Sequence, residues 1–250
     1  MNREPLNNHK MGLRDSMPIA FGYLTVSFAF GILASSYGLN IYEAVMISMF
    51  NLTSAGQLAA LPIIAGGGGL LELAMTELLI NLRYSLMSIS LSQRFDKKIK
   101  AKDKLYLAYA LTDEIFAVSI GKRQMLGKRY LLSLILLPYV SWSFGTFLGA
   151  FAGSILPPLL TDTLGVSMYA MFIAILVPVM RKERPILICV LASVALSCLF
   201  RFVPVLNSIP DGFTIIICAL SVSVVLALLF PITNEDSKER IEEEAEAYES

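Results

Sequence analysis

Arg83 stands inside an apolar stretch, Thr76 to Arg94, that also carries Glu77 and Asn81. A guanidinium well inside a membrane-spanning segment costs about +2.5–3.5 kcal/mol on insertion scales. Such a residue is retained where it has a partner, a water-filled cavity or a task. Its natural partners are Asp113 and Glu114, which sit at the centre of another apolar block. Neighbours on a helix diverge by about 100°, so one of the two is expected to face Arg83. A structural ion pair is the plain reading. The chemical reading is that Arg83 holds an anionic group while Asp113 or Glu114 holds a cationic group or a proton. An α-amino acid backbone carries one of each charge.

Two other constellations supply complementary chemistry. Around Ser54-Ala-Gly-Gln57 an apolar block is interrupted by polar and small residues, from Asn51 onward. A helix broken there presents backbone N–H groups and a positive dipole end, which suits a carboxylate. Gln57 offers both a donor and an acceptor, whereas a simple packing kink at Gly56 is the plain alternative. Ser54, Gly56 and Gln57 therefore join Asn81, Arg83, Asp113 and Glu114 as expected substrate-binding residues. On an ideal helix Glu77, Asn81, Ser85, Ser88 and Ser92 share one face. Arg83 lies roughly 200° from Asn81 and looks elsewhere. Glu77, Asp113 and Glu114 are the expected proton carriers, since intramembrane carboxylates mark such relays.

The elements that must position these residues are membrane helices. The chain has 250 residues, 56% hydrophobic and 16% charged, with zero net charge and a mean hydropathy of +0.66. Soluble domains average roughly 25% charged residues. The apolar residues fall in eight blocks: 17–37, 41–65, 70–91, 105–120, 130–156, 166–180, 185–203 and 212–230. Zero net charge gives no reason to expect a nucleic-acid partner. Cys189, Cys198 and Cys218 show no CxxC spacing, and His9 is the single histidine. A histidine-based triad or metal site is therefore not expected, nor is a cofactor. No Walker A, GxSxG or HExxH pattern occurs, so the chain does not read as an enzyme.

Lys and Arg in short loops mark the cytoplasmic side. The loops at 94–104, 121–129 and 181–184 are basic and read as inside, whereas 38–41, 157–165 and 204–211 lack Lys and Arg. If every block crossed, the loop at 94–104 would be outside. The blocks with polar centres, 41–65 and 105–120, are therefore expected to enter and leave on one side. Irregular backbone at membrane depth is tolerated where protein or water covers it. The expected fold is an all-α integral membrane protein. It has about six spanning helices plus two broken or re-entrant segments, near 54–57 and 112–114. A cytoplasmic arm (1–16), a transporter domain (17–231) and an acidic cytoplasmic tail (232–250) follow, with both termini inside. Small residues at Gly22, Ser27, Gly31 and Ser35, and at Ser141, Gly145, Gly149 and Gly153, are expected to pack helices closely. Phe21, Phe30 and Phe116 are expected to receive an aliphatic side chain.

Several stretches in order resemble the AzlC-type permease family, which is associated with branched-chain amino acid export. They are Met17-Pro-x-x-x-Gly22-Tyr23 with Phe30-Gly31-Ile32-Leu33-Ala34, then Ser54-Ala-Gly-Gln57 and Asn81-Leu-Arg83, then Leu111-Thr-Asp-Glu114-x-Phe116-Ala117 and Gly145-Thr146-x-x-Gly149-Ala150. The resemblance implies a secondary transporter in a bacterial plasma membrane. It also implies a small multi-pass membrane partner of the AzlD type, with a small hydrophobic amino acid as cargo. Two positions depart from the family pattern: Tyr84 stands where many members carry His, and Leu58 where a Phe is usual. An accessory or scaffolding subunit without its own pathway is the alternative. It expects Arg83 in a dry ion pair, whereas a transporter expects it within reach of an open cavity.

Overall fold

In a computed structural model the described residues are 5–122, 124–157, 159, 169–170, 173–174, 176–178, 180–181 and 184–230. Among them the chain is all-helical and forms no β-strand. The block at 166–180 and the tail at 232–250 lie largely or wholly outside these residues.

The first helix, α1, runs His9–Ser36, with Asn8 capping its first amides. It begins eight residues before the apolar block does, so the polar arm is largely helical and Pro18 lies inside the helix rather than at its start. Next come α2 (Ile41–Phe50) and α3 (Ser54–Ala65). The expected broken segment is therefore present, with its break at 51–53 and Ser54–Gln57 forming the first turn of α3. These two helices fold back on each other. Ala44 packs with Leu61, and one cavity is bordered by Tyr37, Glu43, Ile47, Ile64 and Ala65. The start of α2 and the end of α3 thus share one end of the bundle, as a re-entrant hairpin requires.

Helix α4 (Leu70–Ser92) then runs the length of the bundle. At 1.5 Å per residue its 23 residues reach about 34 Å, enough to cross a bilayer core. Next come α5 (Ala101–Tyr109) and α6 (Asp113–Ile120). This second broken segment opens at the other end. Lys128 donates to Asp103 of α5 at 2.9 Å, and Lys122, just after α6, pairs with Asp15 of α1 at 2.7 Å. The backbone of Leu126 bridges Leu6 and Phe95 at the same end. So the basic loops gather at one end, and the loops at 38–41, 66–69 and 209–211 gather at the other.

Helix α7 (Lys128–Ile155) lies parallel to α1. Gly12 abuts Tyr130 and Ser133, and Gly153 abuts Ser35. Between these points Gly145 touches Leu24 and Ser27, Gly149 touches the Phe28 backbone, and Gly31 touches Thr146 and Ala150. A side chain at any of these glycines would meet backbone, so their absence sets the helix separation. Gly22 has open space around it and plays no part in this seam. Helices α8 (Arg184–Phe202) and α9 (Asp211–Leu229) form an antiparallel pair joined by a short 3-10 turn. Among the described residues four helices, α1, α7, α8 and α9, are long and apolar enough to cross a membrane. α4 has the length, but Glu72, Glu77, Asn81 and Arg83 interrupt its apolar surface.

Candidate functional site

The two breaks approach each other from opposite ends of the bundle, with α4 running past both. At the first break, α2 ends with carbonyls that no further turn can satisfy. Tyr109, at the end of α5, donates to the Met49 carbonyl at 2.7 Å, and Tyr139 of α7 reaches the same oxygen at 3.1 Å. The tips of the two hairpins are therefore tied to one another. Thr53 caps the turn into α3, and Thr112 caps α6 by accepting from the Ile115 amide at 3.4 Å. Both breaks read Leu-Thr at the cap, Leu52-Thr53 and Leu111-Thr112.

Arg83 faces the second break. It pairs with Asp113 at 2.9 Å, and the two side chains are 51% and 46% exposed. The pair is open on one side rather than sealed. Tyr84 joins it: Arg83 donates to the Tyr84 hydroxyl at 3.1 Å, its guanidinium carbon lies 4.9 Å from the Tyr84 ring centroid, and Asp113 lies 3.4 Å from that hydroxyl. Glu114 points elsewhere, as neighbours on a helix must. Its Oε2 is 2.5 Å from the hydroxyl of Tyr23 on α1, which also lies 2.6 Å from the Thr112 hydroxyl. Trp142 meets Tyr23 edge-on at 5.0 Å and closes that side. Tyr23, Tyr84 and Thr112 thus belong to the site although their types alone did not mark them. Position was the signal for two of them, since Tyr84 follows Arg83 and Thr112 precedes Asp113, whereas Tyr23 has no charged residue in its block.

The other polar face of α4 meets the first break. Glu77 Oε2 accepts from Asn51 at 2.9 Å and from Asn81 at 2.8 Å, and Thr53 donates to Asn81. Gly56 leaves room for this carboxylate: a Cβ there would lie 2.6 Å from Glu77 Oε2. The first turn of α3, expected to meet a substrate carboxylate, therefore faces the chain's own carboxylate. Gln57 is turned inward, donating to the Asn51 carbonyl at 2.5 Å and to Ser48 at 3.1 Å. Ser48 in turn meets Thr146 of α7 at 2.7 Å.

The three phenylalanines are not brought together. Phe21 is 71% exposed, Phe30 is sealed in the core with Leu33 and Leu61, and Phe116 packs near Ile115 and Leu111. Phe21 and Phe30 are nine residues apart, half a revolution on a helix, so no regular α1 presents both to one pocket. A buried acid missed by pattern, Glu72, accepts from the Gly212 amide at 2.7 Å and caps α9 from α4.

Comparison with known proteins places this arrangement. The family described as AzlC protein matches residues 18–156, which contain both breaks and every residue of the site. The inner membrane protein YgaZ of Escherichia coli is 30% identical over 189 residues, 73% of this chain and 76% of that protein. An uncharacterized membrane protein of Archaeoglobus fulgidus is 34% identical over 171 residues, 68% of this chain and 74% of its own length. The branched-chain amino acid transport protein AzlC of Bacillus subtilis is 24% identical over 172 residues, 68% of this chain and 66% of that protein. No solved structure matches. The family match over more than half its length, with relatives of this identity and coverage, makes the chain a member of the AzlC family of membrane proteins.

Proposed function

We propose that this chain is a secondary transporter that exports branched-chain or similar hydrophobic amino acids across the plasma membrane. It works with a small multi-pass subunit of the AzlD type and is proton-coupled through Glu77, Asp113 or Glu114. The observation that carries this reading is the half-open Arg83–Asp113 pair lying between the tips of two opposed hairpins. In hydrocarbon such a pair is costly unless something polar completes it. A zwitterion completes it without net charge: its carboxylate takes Arg83 and its ammonium takes Asp113, with Glu114 beside it. The Ser54–Gln57 turn, Gly56 included, is occupied by Glu77 and stands beside this site rather than in it, with Asn81 between the two. Opposed half-helices at the midplane are the usual setting of secondary-transport sites. The printed name of the Bacillus subtilis relative points to the branched-chain class of cargo.

A scaffolding role is the other reading, and it expects Arg83 in a dry pair. The exposure of both partners favours transport. The test is efflux of labelled valine, leucine and methionine from cells expressing the chain, with and without a small AzlD-type subunit. Efflux above that of empty cells is expected. Efflux equal to that of empty cells in both settings overturns the proposal.

A further inference from the structure

The network at the first break has more acceptors than donors. Glu77 Oε2 receives two amide donors, but Glu77 Oε1 is buried and has none. The carbonyl Oε1 of Gln57, a fully buried side chain, also has none. The groups that meet Glu77 are uncharged: Asn51 of the break, Gly56 of α3 and Asn81 of α4 itself, with Thr53 bonded to Asn81 and Gln57 to Asn51. The nearby charges are engaged elsewhere. Arg83 pairs with Asp113, Glu114 meets Tyr23, and Glu72 is held by Gly212. Among the described residues no Lys or Arg forms an ion pair with Glu77.

A half-buried carboxylate whose inner oxygen has neither donor nor counter-charge is unfavourable, and so is each orphaned acceptor. What the pocket lacks is a positive donor. The negative pole of α2 and the positive pole of α3 meet here and offset one another, so the helix ends leave Glu77 without a full counter-charge. We infer that the 51–57 break with Glu77 is a site for a small monovalent cation, either a proton or sodium. It is separate from the Arg83–Asp113 pair and is the place where the ion gradient is coupled to transport. Glu77 Oε1 and Gln57 Oε1 face the ion, Asn51 and Asn81 hold the carboxylate in place, and Gly56 makes the space. Asn81 links this site to the second one, since it holds Glu77, accepts from Thr53 and precedes Arg83 by two residues.

This inference rests on the transport reading and is tested so that the two fail separately. The protein and its small subunit are reconstituted in vesicles. Gradient-free exchange of labelled leucine is measured first, then leucine movement driven by a proton gradient and by a sodium gradient. Loss of exchange in the wild type overturns the transport reading. The inference predicts that one gradient stimulates the wild type and that Glu77→Gln loses that stimulation, whereas Glu77→Asp keeps part of it. Gly56→Val, which pushes a side chain into the carboxylate, is expected to lose the stimulation as well. Infrared difference spectra of the purified protein give a readout without transport. A carboxyl or carboxylate band that shifts with pH or with sodium, and that is missing in Glu77→Gln, identifies the ion and the residue. Stimulation retained in Glu77→Gln, a wild type indifferent to both gradients, or no ion-dependent band assignable to Glu77, overturns the inference.

Discussion

At the scale of single residues, the central observation is a division of labour among neighbours. Asp113 and Glu114 are adjacent, yet one meets Arg83 of α4 and the other Tyr23 of α1. Both could not face the same partner on a regular helix. The guanidinium adds planar contact with Tyr84 to its charge, and a lysine supplies only the charge. Arg83→Lys is therefore expected to weaken apparent substrate affinity by roughly tenfold, the loss of about one hydrogen bond to a charged group. Concentration-dependent efflux measures it, with expression checked on the same cells. The sequence told which residues were out of place, because charge inside an apolar block is conspicuous. It did not tell that Glu77 fills the first turn of α3, since that depends on how α4 docks against the α2–α3 hairpin. Nor did it mark Tyr23, a residue type common at membrane surfaces, as a partner of Glu114.

At the scale of elements, among the described residues five of the eight blocks form single helices and two are broken. Of the regular ones, α1 and α7 carry small residues at about four-residue spacing and bury them against each other. Enlarging Gly149, which touches the Phe28 backbone, forces those helices apart. Gly149→Leu is expected to cost about 1–3 kcal/mol or more, the range for overpacking a tight contact. Thermal unfolding in detergent checks it, and Gly22→Leu, which faces open space, serves as a neutral control. The broken segments were legible from polarity at their centres and from the basic loops at 94–104 and 121–129, which share one side only if both blocks return to the side they entered from. Their breaks fall a few residues before the positions expected, because the following helices already start after Thr53 and Thr112, the latter capping with its side chain. The exact number of spans was less legible: α4 is long but interrupted by charge, so hydropathy alone does not mark it.

At the scale of the whole molecule, the loops sort by charge to opposite ends of the bundle. At the basic end, the Lys128 ammonium hydrogen-bonded to Asp103 holds that carboxyl below the usual carboxylate range. The contribution of this contact is present above about pH 4, where an unfolded aspartate is ionised, and fades as pH falls through the lower folded value. Amide exchange in the first turn of α5 is expected to quicken across that window, and Asp103→Asn is expected to abolish the response.

Among the described residues the bundle has one place, Arg83 with Asp113, where charges of both signs lie open between opposed hairpin tips. The most direct test of that claim is labelled-leucine efflux by the double variant Asp113→Asn with Glu114→Gln, expressed with the small subunit. The account predicts that efflux is lost while the protein remains folded in the membrane. Efflux equal to that of the unaltered chain would contradict it.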